Sequence, residues 1–452
     1  MNSISGLDLS KFRFRYRLTT VQIIAASFLA VILAGAVLLC LPVSSAAGVW
    51  TAFPDALFTS VSATCVTGLI VHDTAVYWSL FGKVVIICLI QVGGLGVITM
   101  AFLVSVFMGL RISLVQRTLL QTSISGNNVR GIVRMSLFIL RTVLIIETAG
   151  AAVMMPVFIR DFGPVQGTAY AFFHSISAFC NAGFDLMGVR QPYSSLTSYA
   201  ADPVINIVIM LLILAGGLGF FTWKDIKQNG IHFRHYQLQS KIVLTVNLIL
   251  VLVPALIFAM TQYRDLPAGE RLLASLFQSV TTRTAGFNTT DLTQFSEAGI
   301  LLMLPLMLAG GAPGSTAGGM KLTTLAVIFA VFMSVLRRQD DAVLFQRRIP
   351  RKTVRTAMTI CAWYVTVIFA GSLLVSYIED APVLACLFET TSALNTVGLT
   401  LGLTPDLHLG SKMILMLMMF MGRVGSLTFM YAVSVGDRSR SQHLPQEDVN
   451  VG

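Results

Sequence analysis

Four short phrases along the chain share small and polar residues that end at a glycine. They read FTSVSATCVTGL at 58–69, FHSISAFCNAGF at 173–184, FQSVTTRTAGF at 277–287 and FETTSALNTVGLT at 388–400. The backbone carbonyls of such loops can replace the hydration shell of a cation without adding a fixed charge. Glycine suits this chemistry because it reaches unusual φ and ψ values and has no Cβ in the way. The pattern therefore favours a cation site built from backbone oxygens.

The candidate coordinating residues are the glycine of each phrase and the three residues before it. In chain order they are Cys65, Val66, Thr67 and Gly68; Cys180, Asn181, Ala182 and Gly183; Arg283, Thr284, Ala285 and Gly286; and Asn395, Thr396, Val397 and Gly398. Spacings of 115, 103 and 112 residues separate the four glycines. Regular spacing of this kind indicates a fourfold internal repeat.

Each phrase closes an amphipathic stretch that is too short to cross a membrane. These stretches lie near 50–64, 165–179, 268–282 and 382–394. Apolar runs long enough to span lie near 18–43, 82–108, 131–159, 203–223, 238–262, 297–336, 355–378 and 411–435. The order predicts an all-α polytopic membrane protein with four helix–pore loop–helix repeats, or eight spans, around one central pore. The short helices would direct their negative C-terminal ends towards a cation.

Composition and charge agree with a membrane protein. Hydrophobic residues make up 55% of the 452 residues and charged residues only 12%, with a mean hydropathy of +0.78. A soluble protein of this composition would expose large apolar patches. The net charge is +10, but the basic residues concentrate in alternate loops, which the positive-inside rule places in the cytoplasm with both termini. We therefore expect no nucleic-acid partner. The run at 18–43 is too long for a signal peptide.

A glycine-rich stretch, LAGGAPGSTAGGMKLT at 308–323, has two interpretations. A phosphate-binding loop requires lysine directly after its second glycine, but Met320 separates Gly319 from Lys321. The stretch also matches glycine clusters elsewhere, in QVGGLGVITM at 91–100, LAGGLGFFTW at 214–223 and MGRVGSLTFM at 421–430. We therefore predict an irregular membrane segment, which is tolerated where it lines a watery cavity. The GGLG clusters at 93–96 and 216–219 favour close helix packing. The six cysteines have no metal-site spacing.

As a set, the four phrases resemble the pore loops of the Trk/Ktr/HKT superfamily of potassium transporters, over about residues 18–435. Within it the chain resembles KtrB membrane subunits most, since its first span begins near residue 18. The resemblance implies a K⁺-translocating subunit in the cell membrane, a homodimer with one pore per protomer, and a KtrA-like cytosolic ring that binds ATP or ADP. K⁺ would be the substrate and Na⁺ a candidate activator. The chain itself would hold no cofactor and would not be an enzyme.

The same resemblance implies that the glycine-rich stretch contains an intramembrane gating loop, 309–320, below a selectivity filter. Its candidate residues are Gly310, Gly311, Ala312, Pro313, Gly314, Ser315, Thr316, Ala317, Gly318, Gly319 and Lys321, together with Arg423. Arg423 replaces the glycine of the other clusters, and at this depth an arginine should face the pore or pair with carbonyls. The divergent residues before the filter glycines imply weak discrimination of K⁺ from Na⁺, whereas glycine at position 68 favours K⁺.

The predicted domains are a cytoplasmic tail at 1–17, repeats at 18–110, 111–230, 231–345 and 346–436, and a cytoplasmic tail at 437–452. Arg283 is expected behind the filter, paired with a carboxylate such as Glu389, and Glu147 is expected to have either a functional role or an internal partner. The basic segment 337–355 has three interpretations: it reflects membrane topology alone, it binds anionic lipid headgroups, or it docks the cytosolic ring. A Na⁺-preferring or Na⁺-coupled transporter of the same fold stays open as an alternative. An intramembrane enzyme is disfavoured, because no catalytic pairing recurs on facing helices.

Overall fold

The computed structural model describes residues 19–97, 99–100, 132–425 and 429. Its helices are α1 (Thr20–Cys40), α2 (Phe53–Cys65), α3 (Leu80–Leu95), α4 (Ile132–Phe162), α5 (Pro164–Phe179), α6 (Pro203–Gly217), α7 (Phe220–Asn229), α8 (Leu238–Thr261), α9 (Ala268–Thr281), α10 (Glu297–Leu308), α11 (Leu322–Leu336), α12 (Arg351–Glu379), α13 (Val383–Leu394) and α14 (Leu409–Val424). A small antiparallel hairpin pairs β1 (Val343–Leu344) with β2 (Arg347–Arg348). The tails predicted at 1–17 and 437–452 lie outside the described residues, as does the connection at 101–131.

The described helices follow one order four times. A long helix (α1, α4, α8 or α12) comes first, and a short helix (α2, α5, α9 or α13) packs against it and ends at a glycine phrase. A third helix follows each phrase. Within the described ranges, only the four long helices are individually long and apolar enough to cross a bilayer, and α6 with α7 would make a fifth span if counted together. The predicted alternation of long and short helices is therefore present.

The third helix of three repeats stops at its glycine cluster. α3 ends before Gly96 and α14 before Gly425, whose φ values are 88° and 96°. α6 is joined to α7 at a bend of 97°, next to Gly219 with φ 82°. Glycine at positive φ is a common end for an α-helix. The apolar run predicted over 203–223 therefore consists of α6 and the start of α7, which meet at this bend.

The third repeat contains the longest interruption. α10 ends at Leu308 and α11 begins directly after Lys321, so that 309–321 form an irregular loop between two short apolar helices. The run predicted at 297–336 is thus two helices. Lys321, one of the residues expected in the gating loop, is the N-cap of α11.

Serine side chains on the short helices bind them to the preceding long helices. Ser60 donates to the Ile32 carbonyl at 2.7 Å, Ser175 to the Glu147 carbonyl at 2.6 Å and Ser279 to the Val251 carbonyl at 2.7 Å. Ser279 also donates to the Leu250 carbonyl at 3.0 Å. Pro254 has no N–H group and so leaves that carbonyl without its usual helical donor. These bonds hold the start of each glycine phrase at a fixed depth in three repeats.

Candidate functional site

The four glycine loops (65–68, 180–183, 283–286 and 395–398) repeat one alternation of backbone conformation. Two positions before each glycine the backbone is left-handed, with φ of 57° at Val66, 58° at Asn181, 65° at Thr284 and 52° at Thr396. The glycines have φ of 95° at 68, 69° at 183, 82° at 286 and 90° at 398. Left-handed residues other than glycine cost energy and cluster at functional sites. A regular helix or strand cannot form through this alternation.

The four glycines lie against one another in a closed ring, in chain order. A Cβ built on each would meet a carbonyl oxygen of the next loop: Gly68 and Ala182 at 2.5 Å, Gly183 and Ala285 at 2.8 Å, Gly286 and Val397 at 2.7 Å, and Gly398 and Thr67 at 2.1 Å. The contact of the fourth loop with the first closes the ring. A side chain at any of these glycines would therefore displace a neighbouring backbone.

The carbonyl oxygens of this ring are left free for a ligand. Within the described part of the chain, no protein group donates to the carbonyls of the four glycines or of Thr67, Ala182, Ala285 and Val397. Buried carbonyls without a donor are rare in folded proteins. The four short helices also end at these loops, so the negative ends of their dipoles lie beside them. Together these features suit a desolvated cation.

Glycines of the third helices let the short helices end close to the ring. A Cβ on Gly93, Gly216 or Gly422 would lie 1.9 Å from the carbonyl oxygen of Thr64, Phe179 or Leu394, respectively. Each of these carbonyls belongs to the residue four positions before a ring glycine. The close-packing interpretation of the clusters at 93–96 and 216–219 therefore agrees with the contacts, and Gly422 makes the same contact in the fourth repeat.

The glycine-rich loop, 309–321, lies between the second and fourth repeats. Thr316 donates its hydroxyl to the Phe179 carbonyl at 2.9 Å, and Ala312 donates its N–H to the Gly217 carbonyl at 2.9 Å. On the other side, a Cβ on Gly318 would lie 2.0 Å from the Thr396 hydroxyl. The loop thus touches the end of the short helix α5, the end of α6 and the fourth glycine loop.

The two ends of this loop contact each other. Gly310 donates its N–H to the Met320 carbonyl at 2.9 Å, and a Cβ on Gly310 would lie 2.6 Å from the Gly318 carbonyl oxygen. The Lys321 ammonium donates to the Ala317 carbonyl at 2.8 Å. Residues at the beginning and the end of the glycine-rich loop are therefore already in contact with each other.

Arg423 connects the loop to the first repeat. Its guanidinium donates to the carbonyls of Thr316 and Gly93, and to the Gly94 carbonyl at 2.9 Å. Gly93 and Gly94 lie in the last turn of α3, where the helix dipole favours a cation. The expected pairing of Arg423 with backbone carbonyls is confirmed. Its charge lies beside the glycine-rich loop.

Comparison with known proteins decides the family. The family "TrkH: Cation transport protein" matches residues 4–442. The chain belongs to the TrkH family of cation transport proteins. Family members are ion transporters and not enzymes.

Two curated relatives of this TrkH-family chain match it over almost its whole length. It is 36% identical to the "Potassium/sodium uptake protein NtpJ" of Enterococcus hirae, over 99% of this chain and 100% of the relative. It is 37% identical to the "Ktr system potassium uptake protein B" of Bacillus subtilis, over 96% of this chain and 97% of the relative. Among solved structures, the potassium transporter TrkH from Vibrio parahaemolyticus shares the fold, with a TM-score of 0.73 and 20% identity over 94% of this chain and 86% of that one.

The expected pairing of Arg283 with Glu389 is wrong. Arg283 is buried and donates to the Asn247 side chain of α8 at 2.7 Å. Glu389 accepts instead from the Thr404 hydroxyl at 2.8 Å and from the Leu401 N–H at 3.1 Å, in the segment that follows the fourth glycine loop. Arg283 therefore makes its contact within the third repeat, and Glu389 makes its contacts within the fourth. Arg283 does lie behind its loop, as predicted, because its side chain extends back to the long helix.

Glu147 of α4 has an internal partner. The Gln91 amide of α3 donates to its carboxylate at 3.2 Å. The Cys180 thiol, in the second glycine loop, lies 4.0 Å from the same carboxylate and 3.5 Å from the Gln91 amide oxygen. A polar contact thus supports the second glycine loop from behind.

Two carboxylates, the buried Asp73 and the half-buried Asp185, lie in the segments that follow the first and second glycine loops of this TrkH-family chain. Asp73 accepts from the Tyr193 N–H at 2.7 Å and the Ala75 N–H at 2.8 Å, and Asp185 accepts from the Met187 N–H at 2.8 Å. Burial, with the charge of Asp73, raises the pKa of Asp185 to about 7. Asp185 therefore stays neutral up to a higher pH than an ordinary carboxyl group does.

The sequence interpretation missed the side chains that anchor the glycine loops. Ser62 accepts from the Gly68 N–H at 3.1 Å, and Ser392 accepts from the Gly398 N–H at 3.0 Å. Ser177 donates instead to the Phe184 carbonyl at 2.7 Å. All three serines stand six positions before a ring glycine. That shared spacing is the sequence signal from which these anchoring serines could have been found.

Proposed function

We propose that this chain is the K⁺-translocating membrane subunit of a Ktr-type uptake system. The ring of glycine carbonyls without protein donors carries the proposal, because such oxygens can replace the water around a dehydrated K⁺. The printed names of the relatives support it, since one is a Ktr system potassium uptake protein B. In this proposal the third helices complete eight spans, and the four glycine loops form a selectivity filter on the axis of four repeats.

Transport through this filter needs no covalent step. A K⁺ ion loses water at the outer mouth, is coordinated by the ring carbonyls and leaves towards the cytoplasm. The membrane potential drives it, at about 2.3 kcal/mol per charge for 100 mV. The ends of the short helices lower the cost of holding the cation inside the bilayer.

The glycine-rich loop is the gate in this proposal. It contacts Thr396 within the fourth glycine loop, and Arg423 holds it to the first repeat through Thr316. A cation that passes the filter would then meet both the bulk of the loop and the guanidinium charge. Opening requires the loop to leave its contacts with the second and fourth repeats.

Control of the gate is assigned to a cytosolic subunit that binds ATP or ADP. The name of the Bacillus subtilis relative, a protein B of a system, supports a partner component. The basic segments of this chain, with both termini, would face that partner on the cytoplasmic side of the cell membrane. Two protomers would form a homodimer, each with its own pore.

A second candidate is a Na⁺-preferring or Na⁺-coupled transporter of the same fold. The Enterococcus hirae relative favours it, because its printed name includes sodium as well as potassium. The residues before the ring glycines also differ among the four loops, so the four carbonyl environments are unequal.

Rubidium-tracer uptake into proteoliposomes, competed with K⁺ or Na⁺, tests the proposal. We expect K⁺ to compete far better than Na⁺. Deletion of residues 311–317 should raise the flux, and the contact of Gly310 with Gly318 and Met320 lets the chain close after this deletion. Equal competition by Na⁺ would favour the second candidate. Absence of flux through the folded deletion variant would overturn transport itself, since no closed gate could explain it.

A further inference from the structure

A basic pocket lies at the start of α8. Its cavity of about 530 Å³ is lined by Arg234, His235, Lys241, Phe345, Arg347 and Arg348, with neighbouring backbone at the start of α8. One wall is the segment that leads into α8 and the other is the β1–β2 hairpin. The two walls come from segments about 110 residues apart in sequence.

The cations of this pocket are largely uncompensated. None of its lining residues is acidic. Arg348 pairs with Asp341 at 2.9 Å, and Lys241 donates to the Arg234 carbonyl at 2.8 Å. Across the described ranges, the guanidinium groups of Arg234 and Arg347 have no carboxylate partner. Cations held this close repel one another, so an anion between them is favoured.

The pocket lies at the level where a membrane span begins. α8 is one of the four long apolar helices, and Lys241 is in its first turn. Apolar side chains stand exposed around the cations: Ile231 is 94% exposed, Phe345 43% and Phe233 40%. Exposed apolar groups beside cations suit the boundary of headgroups and acyl chains. A soluble anion would be complementary to the cations but not to the exposed apolar side chains.

We propose that this pocket binds the phosphate group of an anionic phospholipid headgroup. Arg234 and Arg347 donate charge-assisted hydrogen bonds to the phosphate oxygens from opposite walls. The acyl chains lie along the exposed apolar face of α8, which includes Leu248 and Leu252. The bound lipid thereby joins the hairpin that follows α11 to the span α8.

Native mass spectrometry of the detergent-purified, delipidated full chain tests the proposal by titration with phosphatidylglycerol or phosphatidylcholine. We expect phosphatidylglycerol to bind the wild type more tightly. The double variant Arg234→Gln with Arg347→Gln should bind it about 25-fold more weakly, at about 1 kcal/mol for each basic residue. Arg234→Lys with Arg347→Lys keeps both charges and should retain most of the binding.

A matched control removes two other arginines on the same side of the molecule, Arg351→Gln with Arg355→Gln. Both are exposed and lie outside the pocket, so this variant should bind phosphatidylglycerol like the wild type. Equal loss in the control, or equal binding of phosphatidylcholine, would overturn the proposal. Displacement of the lipid by inorganic phosphate at equal concentration would also overturn it, because the site would then be one for a soluble anion.

Discussion

At the scale of single residues, the ring glycines are constrained by both backbone conformation and space. Gly398 has φ 90°, and a Cβ there would lie 2.1 Å from the Thr67 carbonyl oxygen. Gly402 has φ 93° but nothing within 4 Å of such a Cβ. We therefore expect Gly398→Ala to lower rubidium uptake at least tenfold, because the carbonyl of the neighbouring loop must move. Gly402→Ala should cost about 1–2 kcal/mol of stability and leave uptake intact.

Uptake and thermal unfolding of both variants in proteoliposomes separate the two effects. Equal loss of uptake in Gly402→Ala would show that backbone strain alone accounts for the change. The contact between Gly398 and the Thr67 carbonyl would then have no effect of its own on uptake.

Arg423 is the residue whose charge and contacts both oppose cation passage in the proposed function. Arg423→Ala removes its bonds to Thr316, Gly93 and Gly94 and should raise the flux of rubidium several-fold. Arg423→Lys keeps the charge but cannot reproduce a planar fork, so it should raise the flux less. The initial rate of tracer uptake is the measurement. An unchanged rate in Arg423→Ala would remove the residue from the barrier.

Asp185 predicts a pH dependence of stability. Burial raises its pKa to about 7, whereas an unfolded chain has a carboxyl pKa of about 3.9. The folded chain therefore binds more protons between these two values, and the stability contributed by Asp185 is lost as the pH rises from about 4 to about 7. Asp185→Asn should gain stability relative to the wild type over this range. Thermal unfolding midpoints of both proteins from pH 4 to pH 8 give the difference, and a pH-independent difference would contradict the assignment.

At the scale of elements, the short helices and their glycine phrases could be predicted because both leave local signals. The stretch predicted near 382–394 matches α13 (Val383–Leu394) within a residue. The bend between α6 and α7 could not be predicted, since hydropathy does not distinguish a glycine at positive φ from one inside a helix. The partner of Arg283 could not be predicted either. It depends on how α8 packs behind the third loop, which is a tertiary contact without a local signal.

The contact between the glycine-rich loop and the fourth glycine loop makes a further prediction at this scale. Gly318→Ala introduces no left-handed backbone, but its Cβ would lie 2.0 Å from the Thr396 hydroxyl. The substitution should push the loop away and raise rubidium flux. In a Thr396→Ala background the same substitution should have a smaller effect, with a coupling of about 0.5–3 kcal/mol.

Thr284→Ala provides the matched background for this cycle. Thr284 occupies the same left-handed position in the third repeat, and its threonine hydroxyl is not among the atoms nearest to Gly318. Gly318→Ala should therefore raise the flux by the same factor with or without Thr284→Ala. Equal coupling to both threonines would contradict a direct contact between the loop and the fourth repeat.

At the scale of the whole molecule, the closed ring places one complete set of carbonyls within a single chain. All four loops that meet at Gly68, Gly183, Gly286 and Gly398 belong to one protomer. A pore at a symmetric interface would instead need residues from both subunits. The proposed homodimer therefore contains two independent pores. Four repeats within one chain can also differ in sequence, whereas identical subunits cannot. The third repeat carries the glycine-rich loop and the fourth carries Arg423.

Mixed dimers provide the corresponding prediction. When wild-type chains are co-expressed with folded Gly398→Ala chains, uptake per total protein should fall in direct proportion to the inactive fraction. With half of the chains inactive, independent pores leave about half of the uptake, whereas a shared pore leaves about a quarter. Differently tagged chains, purified through both tags, give a population of mixed dimers in which the same comparison is sharper. Mixed dimers with about half of the wild-type rate would support a pore within each protomer, and inactive mixed dimers would place the conduction path between them.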